Sequence, residues 1–114
     1  MLTNTVKNEV LNYIASRVTY IGLVGSDDNE ISGGDPAYER KPIAWNSPSE
    51  GAMTATGSIT FDVPFGVTVT KVRFFNHPTT DETTGEYKVN DEVFGGQATY
   101  EIETATIDLN HSVV

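Results

Sequence analysis

The chain draws its apolar character from side chains branched at Cβ. Thr occurs 15 times, Val 12 times and Ile 7 times, against only 4 Leu. Branching at Cβ stiffens χ1 and suits a pleated surface, whereas Leu is the usual residue of helix cores. The chain therefore reads as mainly β: a small antiparallel β-sandwich or jelly-roll-like domain. The clearest strand is Ser58 to Val63, where Ile59, Phe61 and Val63 share one face and Ser58, Thr60 and Asp62 the other. Period two with one polar face indicates an antiparallel sheet packed on one side.

The exception is the start. Val6, Val10 and Ile14 recur every fourth residue beside Leu11, with Lys7, Asn8, Asn12 and Ser16 mainly opposite. The spacing predicts an amphipathic helix over 3–16, capped by Thr3, Asn4 or Thr5, with Val6, Val10, Leu11 and Ile14 as its apolar face. Residues 17–110 then form the sandwich, and the whole of 1–114 reads as a single domain. Strands are expected at Arg17–Val24, at Lys41–Asn46 on a sheet edge because of Pro42, at Val67–Asn76, at Glu86–Phe94 and at Ala98–Leu109. Gly25–Pro36, Asn46–Gly51 and His77–Gly85 read as loops, and Pro64-Phe65-Gly66 and Gly95-Gly96 as turns. Two strands switch parity. Val67 and Val69 are odd-numbered while Val72 and Phe74 are even, so a bulge is expected near Thr70-Lys71. Tyr100 and Ile102 likewise give way to Ile107 and Leu109, which places a bulge or bend near Thr104-Ala105.

Sixteen Asp and Glu face seven Lys and Arg, a formal charge of −9. No basic cluster exceeds Arg40-Lys41, which argues against nucleic acid and anionic membranes as partners. No apolar stretch approaches the length of a membrane span, and no signal peptide is visible. The absence of cysteine excludes disulfides, thiolate zinc sites and thiol nucleophiles.

Three segments stand out in order. They are Leu2–Asn8 with the helix and strand that follow, Glu30-Ile-Ser-Gly-Gly-Asp-Pro-Ala-Tyr-Glu-Arg-Lys41 continuing to Ile43-Ala44-Trp45, and Ile59-Thr-Phe-Asp-Val-Pro-Phe-Gly-Val-Thr-Val-Thr70. Together, over about residues 2–109, they resemble a family of short tailed-phage virion proteins, common in phages of actinobacteria and labelled tail fibre or minor tail proteins. Members carry a helix, a GG-x-P-A-Y-x-R loop and an F-D-V-P-x-G-T-x-V hairpin. The family usually continues with a Gly-Leu-Trp or Gly-Phe-Trp segment, where this chain has Arg73-Phe74-Phe75-Asn76.

The residues nominate little chemistry. Asp27, Asp28, Asn29, Glu30 and Asp35 are oxygen ligands of the kind calcium uses, without the EF-hand spacing, and read as a solvated loop. His77, beside Asp81, and His111 are too few for a catalytic metal site. Asp81, Glu82, Glu86, Asp91 and Glu92 show no spacing that selects a glycosidase pair. Asn110-His111-Ser112 is an incidental glycosylation sequon. No catalytic, metal or cofactor residues are expected.

The resemblance implies a non-enzymatic virion structural protein, made in the bacterial host cytoplasm and resident in the virion. It would attach to the particle surface as a capsid decoration protein, or second as a minor tail or tail-fibre protein. Its partners would be major capsid or tail proteins and further copies of itself in a homo-oligomer. Tyr38, Arg40, Phe74 and Phe75 are the expected interface residues. Tyr38 also has a purely structural reading, as the anchor of the Gly33-Gly34 loop. The alternative is a glycan-binding module contacting the host envelope, with Trp45 and Tyr87 as an exposed stacking platform.

Overall fold

A computed structural model describes residues 2–110. Helix α1 (Asn4–Arg17) precedes eight strands: β1 (Tyr20–Gly25), β2 (Lys41–Pro42), β3 (Ala52–Thr54), β4 (Ile59–Val63), β5 (Thr68–Phe75), β6 (Thr83–Val93), β7 (Ala98–Ile102) and β8 (Thr106–Asp108). All pairings are antiparallel. One sheet has the order β2-β1-β5-β6, and β4–β7 and β3–β8 form two-stranded pairs. Ile59, Phe61, Val63 and Ile102 of β4–β7 share a core with Ile21, Leu23, Val69 and Val72 of β1 and β5. The fold is thus a small mainly β sandwich with one N-terminal helix, as the β-branched composition implies.

The helix forms where expected, with Thr3 as its cap: the Thr3 hydroxyl accepts from the Val6 amide at 3.2 Å. It docks, however, through only part of the expected apolar face, Leu11 and Ile14, and turns Lys7 inward in place of the valines. Lys7 and Leu11 are buried, whereas Val6 and Val10 are each 39% exposed. The Lys7 stem is apolar and packs beside Gly51, and its ammonium donates to Asn110 Oδ1 at 2.9 Å, which supplies a partner for the turned-in charge. Asn8 Oδ1 accepts from the Gly51 amide at 3.0 Å beside it. The helix also runs on through Arg17, so β1 starts three residues later than the expected strand.

The parity switch in β5 has the expected cause. Val69 pairs with Gly25, yet Lys71 pairs with Val24, and the register against β6 jumps at the same place. Thr70 is the additional residue. Its hydroxyl donates to Gly25 O at 3.1 Å, with Val24 O at 3.4 Å, and so holds the bulge on β1. At the second switch the bend is a full break. Residues 103–105 separate β7, which pairs with β4, from β8, which pairs with β3.

The hairpin implied by the resemblance is not formed. β4 pairs with β7, and β5 pairs with β1 and β6, so Pro64-Phe65-Gly66 carries the chain from one sheet to the other. A hairpin would put Phe61 and Val69 on one face of one sheet. The crossover instead puts them on different sheets that share one core. Residues 83–85, expected in a loop, extend β6, while β3 is a three-residue strand with no period to read.

The helix face yields a direct test. Replacing Leu11, fully buried, by Ala is expected to cost about 2–5 kcal/mol in urea unfolding, as for other buried Leu truncations. Replacing the half-exposed Val10 by Ala is expected to cost under about 1 kcal/mol. Equal losses would return the valines to the docking face.

Candidate interaction surface

After β1 the chain makes a tight turn and comes back along the strand it left. Asn29 closes the turn on Asp27, Glu30 bridges to Val24, and the Ile31 amide donates to Leu23 O at 3.0 Å. Gly33 and Gly34 then adopt φ of +89° and +98°, a region that disfavours side chains. This turn delivers Tyr38 and Arg40. The Tyr38 hydroxyl accepts from the Leu23 amide at 2.8 Å and donates to Glu30 at 2.8 Å, and its ring stacks on Phe61. Burial, reinforced by the Glu30 charge, pushes the Tyr38 phenol well above its ordinary pKa and keeps it a donor.

Arg40 is more deeply committed. Only 5% of its side chain is exposed, and its guanidinium meets both carboxylate oxygens of Glu30 at 2.9–3.1 Å. It also donates to the carbonyls of His77 and Thr80 and lies 3.5 Å above the centre of the Phe75 ring. Gly22 lies beneath the group. A Cβ there would come within 2.5 Å of the Tyr38 hydroxyl, 2.8 Å of Glu30 and 2.9 Å of Phe75.

These contacts correct the expected interface. Arg40, Phe74 and Phe75 are buried within the domain and Tyr38 is largely so; the structural reading of Tyr38 is the one the geometry supports. The glycan platform is also divided. Trp45 is half-buried, its indole N–H donates to Val18 O at 3.0 Å, and its ring meets Phe74 edge-on. Tyr87, 38% exposed, packs on Phe74 at 5.6 Å. Phe74 thus stands between the two rings that were to share a sugar.

The acidic residues do not converge. Asp28 meets Lys71 and Arg73, and Glu86 meets the same two cations on the outer face of the large sheet. Hydrogen bonds from Lys71 hold the Asp28 and Glu86 carboxyls below their usual pKa and raise that of Lys71. Their small stabilisation is present at neutral pH and fades as acid protonates the carboxylates; these are exposed pairs. His77 does not pair with Asp81. Its Nδ1 accepts from the Thr79 and Thr80 amides at 3.1 Å and closes a turn. His111 lies outside the described residues. Among the described residues, no group of three or more His, Asp or Glu is placed to hold a metal ion, and no helix is long and apolar enough to cross a membrane.

What the fold does bring together is one pole of the sandwich. The Gln97 amide accepts from Asp35 N at 3.2 Å and donates to Pro36 O at 3.1 Å, tying the Gly-Gly loop to the β6–β7 connection. A Cβ on Gly34 would meet Gln97 at 2.8 Å and Pro64 at 3.1 Å, so the β4–β5 connection abuts the same loop. Gly66 and Val67 exchange backbone bonds with Phe94 at 2.8 Å. The Glu30–Lys41 and Ile59–Thr70 segments thereby meet, although they are far apart in sequence. Beside them Phe65 is 73% and Val93 74% exposed. Sequence reading passed over both. The available signal was Phe65 itself, a large aromatic between Pro and Gly in a turn, where burial in the chain's own core is hard to arrange.

No family model, curated protein or solved structure matches the chain.

The Tyr38–Arg40 arrangement makes a graded prediction. Tyr38→Phe removes one buried hydroxyl and is expected to cost about 1–3 kcal/mol. Arg40→Ala strands the Glu30 carboxylate and is expected to cost about 3–5 kcal/mol. Denaturant titration reads both. An Arg40→Ala variant as stable as the parent would show that the buried guanidinium does not organise the loops.

Proposed function

We propose that this protein is a non-enzymatic structural component of a tailed-phage virion, held on the particle surface through the pole formed by the Gly33–Pro36, Pro64–Gly66 and Phe94–Gln97 connections. The observation that carries the reading is the convergence of the Glu30–Lys41 and Ile59–Thr70 segments around exposed Phe65 and Val93. Exposed large apolar residues at a rigid loop cluster are the usual anchors of protein–protein contact. Backbone bonds and the Gln97 amide fix the loops, so little ordering entropy is lost on docking.

Capsid decoration ranks ahead of a minor tail role. The protein's charge of −9 suits an outer surface away from packaged DNA. The partners are then major capsid or tail proteins, with copies repeated by particle symmetry. The protein would be made in the host cytoplasm and reside in the virion.

Quantitative mass spectrometry of purified particles, from the phage whose genome encodes this sequence, tests the reading. The protein is expected in the particle, at hundreds of copies for decoration or in a small ring number for a tail position. A Phe65→Asp/Val93→Asp variant supplied in its place is expected to fold normally and be lost from particles. Absence of the parent protein from purified particles would refute the virion role. Full incorporation of the variant would refute the pole as the contact.

A further inference from the structure

We propose that the open side of the sandwich between β6 and β7 is a docking groove for an extended, lysine- or arginine-bearing segment of a partner protein, bound as an added strand. The inference does not rest on the virion reading, because it follows from edges and charge alone.

The two long sides of the sandwich are finished differently. On the β2/β4 side, Tyr38 fills the gap between sheets where β1 runs past the two residues of β2: its hydroxyl takes the Leu23 amide, Glu30 and Ile31 line the strand beside it, and its ring lies against Phe61 of β4. On the other side, β6 is the outermost strand of its sheet and β7 pairs only with β4. Each therefore has one edge whose backbone donors and acceptors have no strand partner among the described residues. Between these edges lies an open groove of about 860 Å³, with Lys88–Glu92 on one wall and Tyr100 and Glu101 on the other.

The lining specifies the occupant. Val89 and Tyr100 are partly buried and pack against the core, which gives the groove an apolar floor. Asp91, Glu92 and Glu101 are exposed at its rim. Lys88 is the single cation of the lining, and its ammonium rests 3.4 Å from Asp91 in a solvent-exposed pair that contributes little. An added strand alternates its side chains between two faces. The matching segment therefore sets small apolar residues on Val89 and Tyr100 and basic residues on the carboxylates. Its main chain supplies the hydrogen bonds, as in other strand-addition complexes.

A second copy fits this edge poorly. A second copy would have to pair its own bent stretch of β6 against this one, with two acids, Asp91 and Glu92, against a single Lys88 on each copy. β6 is irregular here. It advances from Lys88 to Glu92 while β5 spans only Lys71 to Val69, so the edge is bent and no long flat pairing is offered. A short basic segment avoids the bend by pairing along the regular outer edge of β7, which matches β4 residue for residue from Ala98 to Ile102, and its side chains reach the β6 carboxylates across the groove.

Three fluorescent pentapeptides with blocked ends, titrated into the full-length protein, test the proposal: Lys-Val-Lys-Val-Lys, Glu-Val-Glu-Val-Glu, and Lys-Val-Pro-Val-Lys. The first is expected to bind saturably at low salt, and its amide shift changes are expected at residues 88–92 and 100–101. The acidic peptide is expected not to bind. The proline peptide keeps two of three charges but loses the central backbone donor, and is expected to bind about tenfold more weakly or worse. Asp91→Lys/Glu101→Lys is expected to weaken the basic peptide at least as much. Because the peptide comparison uses the unaltered protein, it stands even if that variant folds poorly. No saturable binding by the basic peptide, equal binding by the proline peptide, or a self-associated protein whose dimer contact maps to residues 88–92 would each overturn the proposal.

Discussion

A guanidinium buried beneath a loop is the constraint from which much of the remaining architecture follows. Removing such a charge from water costs several kcal/mol, which a paired carboxylate and further hydrogen bonds must offset. Arg40 meets that demand with Glu30, the carbonyls of His77 and Thr80, and the face of Phe75. Those partners lie on separate stretches of chain, so one side chain determines where the 26–40 loop, the 77–80 turn and the end of β5 sit. Tyr38 shares Glu30 and closes the β1 edge. Gly22 is required underneath because no Cβ fits there. Among the described residues no buried side-chain nitrogen or oxygen lacks a partner.

The same device gives the sandwich its asymmetry. One side is sealed by an aromatic side chain of the loop; the other ends in two strand edges over a shallow acidic groove. The poles differ too, since the Gly-Gly loop and the β4–β5 and β6–β7 connections collect at one of them with Phe65 and Val93 outward. A domain built this way has a rigid interior and separate external features available for contact.

The fold was legible where one physical rule acted alone. Alternation from Ile59 to Val63 placed β4, and the parity conflict between Val69 and Val72 located the Thr70 bulge, because a strand cannot change faces without an additional residue. Reading failed where tertiary context overrode a local pattern. The apolar face of the helix held Val6 and Val10 together with Leu11 and Ile14, and only the distant Asn110 reveals why Lys7 turns inward while the valines face out. The Pro64–Gly66 turn has hairpin chemistry, but the partners of its flanking strands are set by the core. Tyr38 and Arg40 have the composition of a contact site. Their burial follows from the fold of Glu30 back onto β1, which residue type does not encode.

Native-state hydrogen exchange addresses the central asymmetry most directly. The account predicts that the Leu23 amide, bonded to the Tyr38 hydroxyl instead of to a strand, exchanges only through near-global unfolding. The outward-directed amides of β6 between Lys88 and Glu92 are predicted to exchange faster by orders of magnitude. Rapid exchange at Leu23, or uniform protection along β6, would contradict a sandwich sealed by Arg40 and Tyr38 on one side and open on the other.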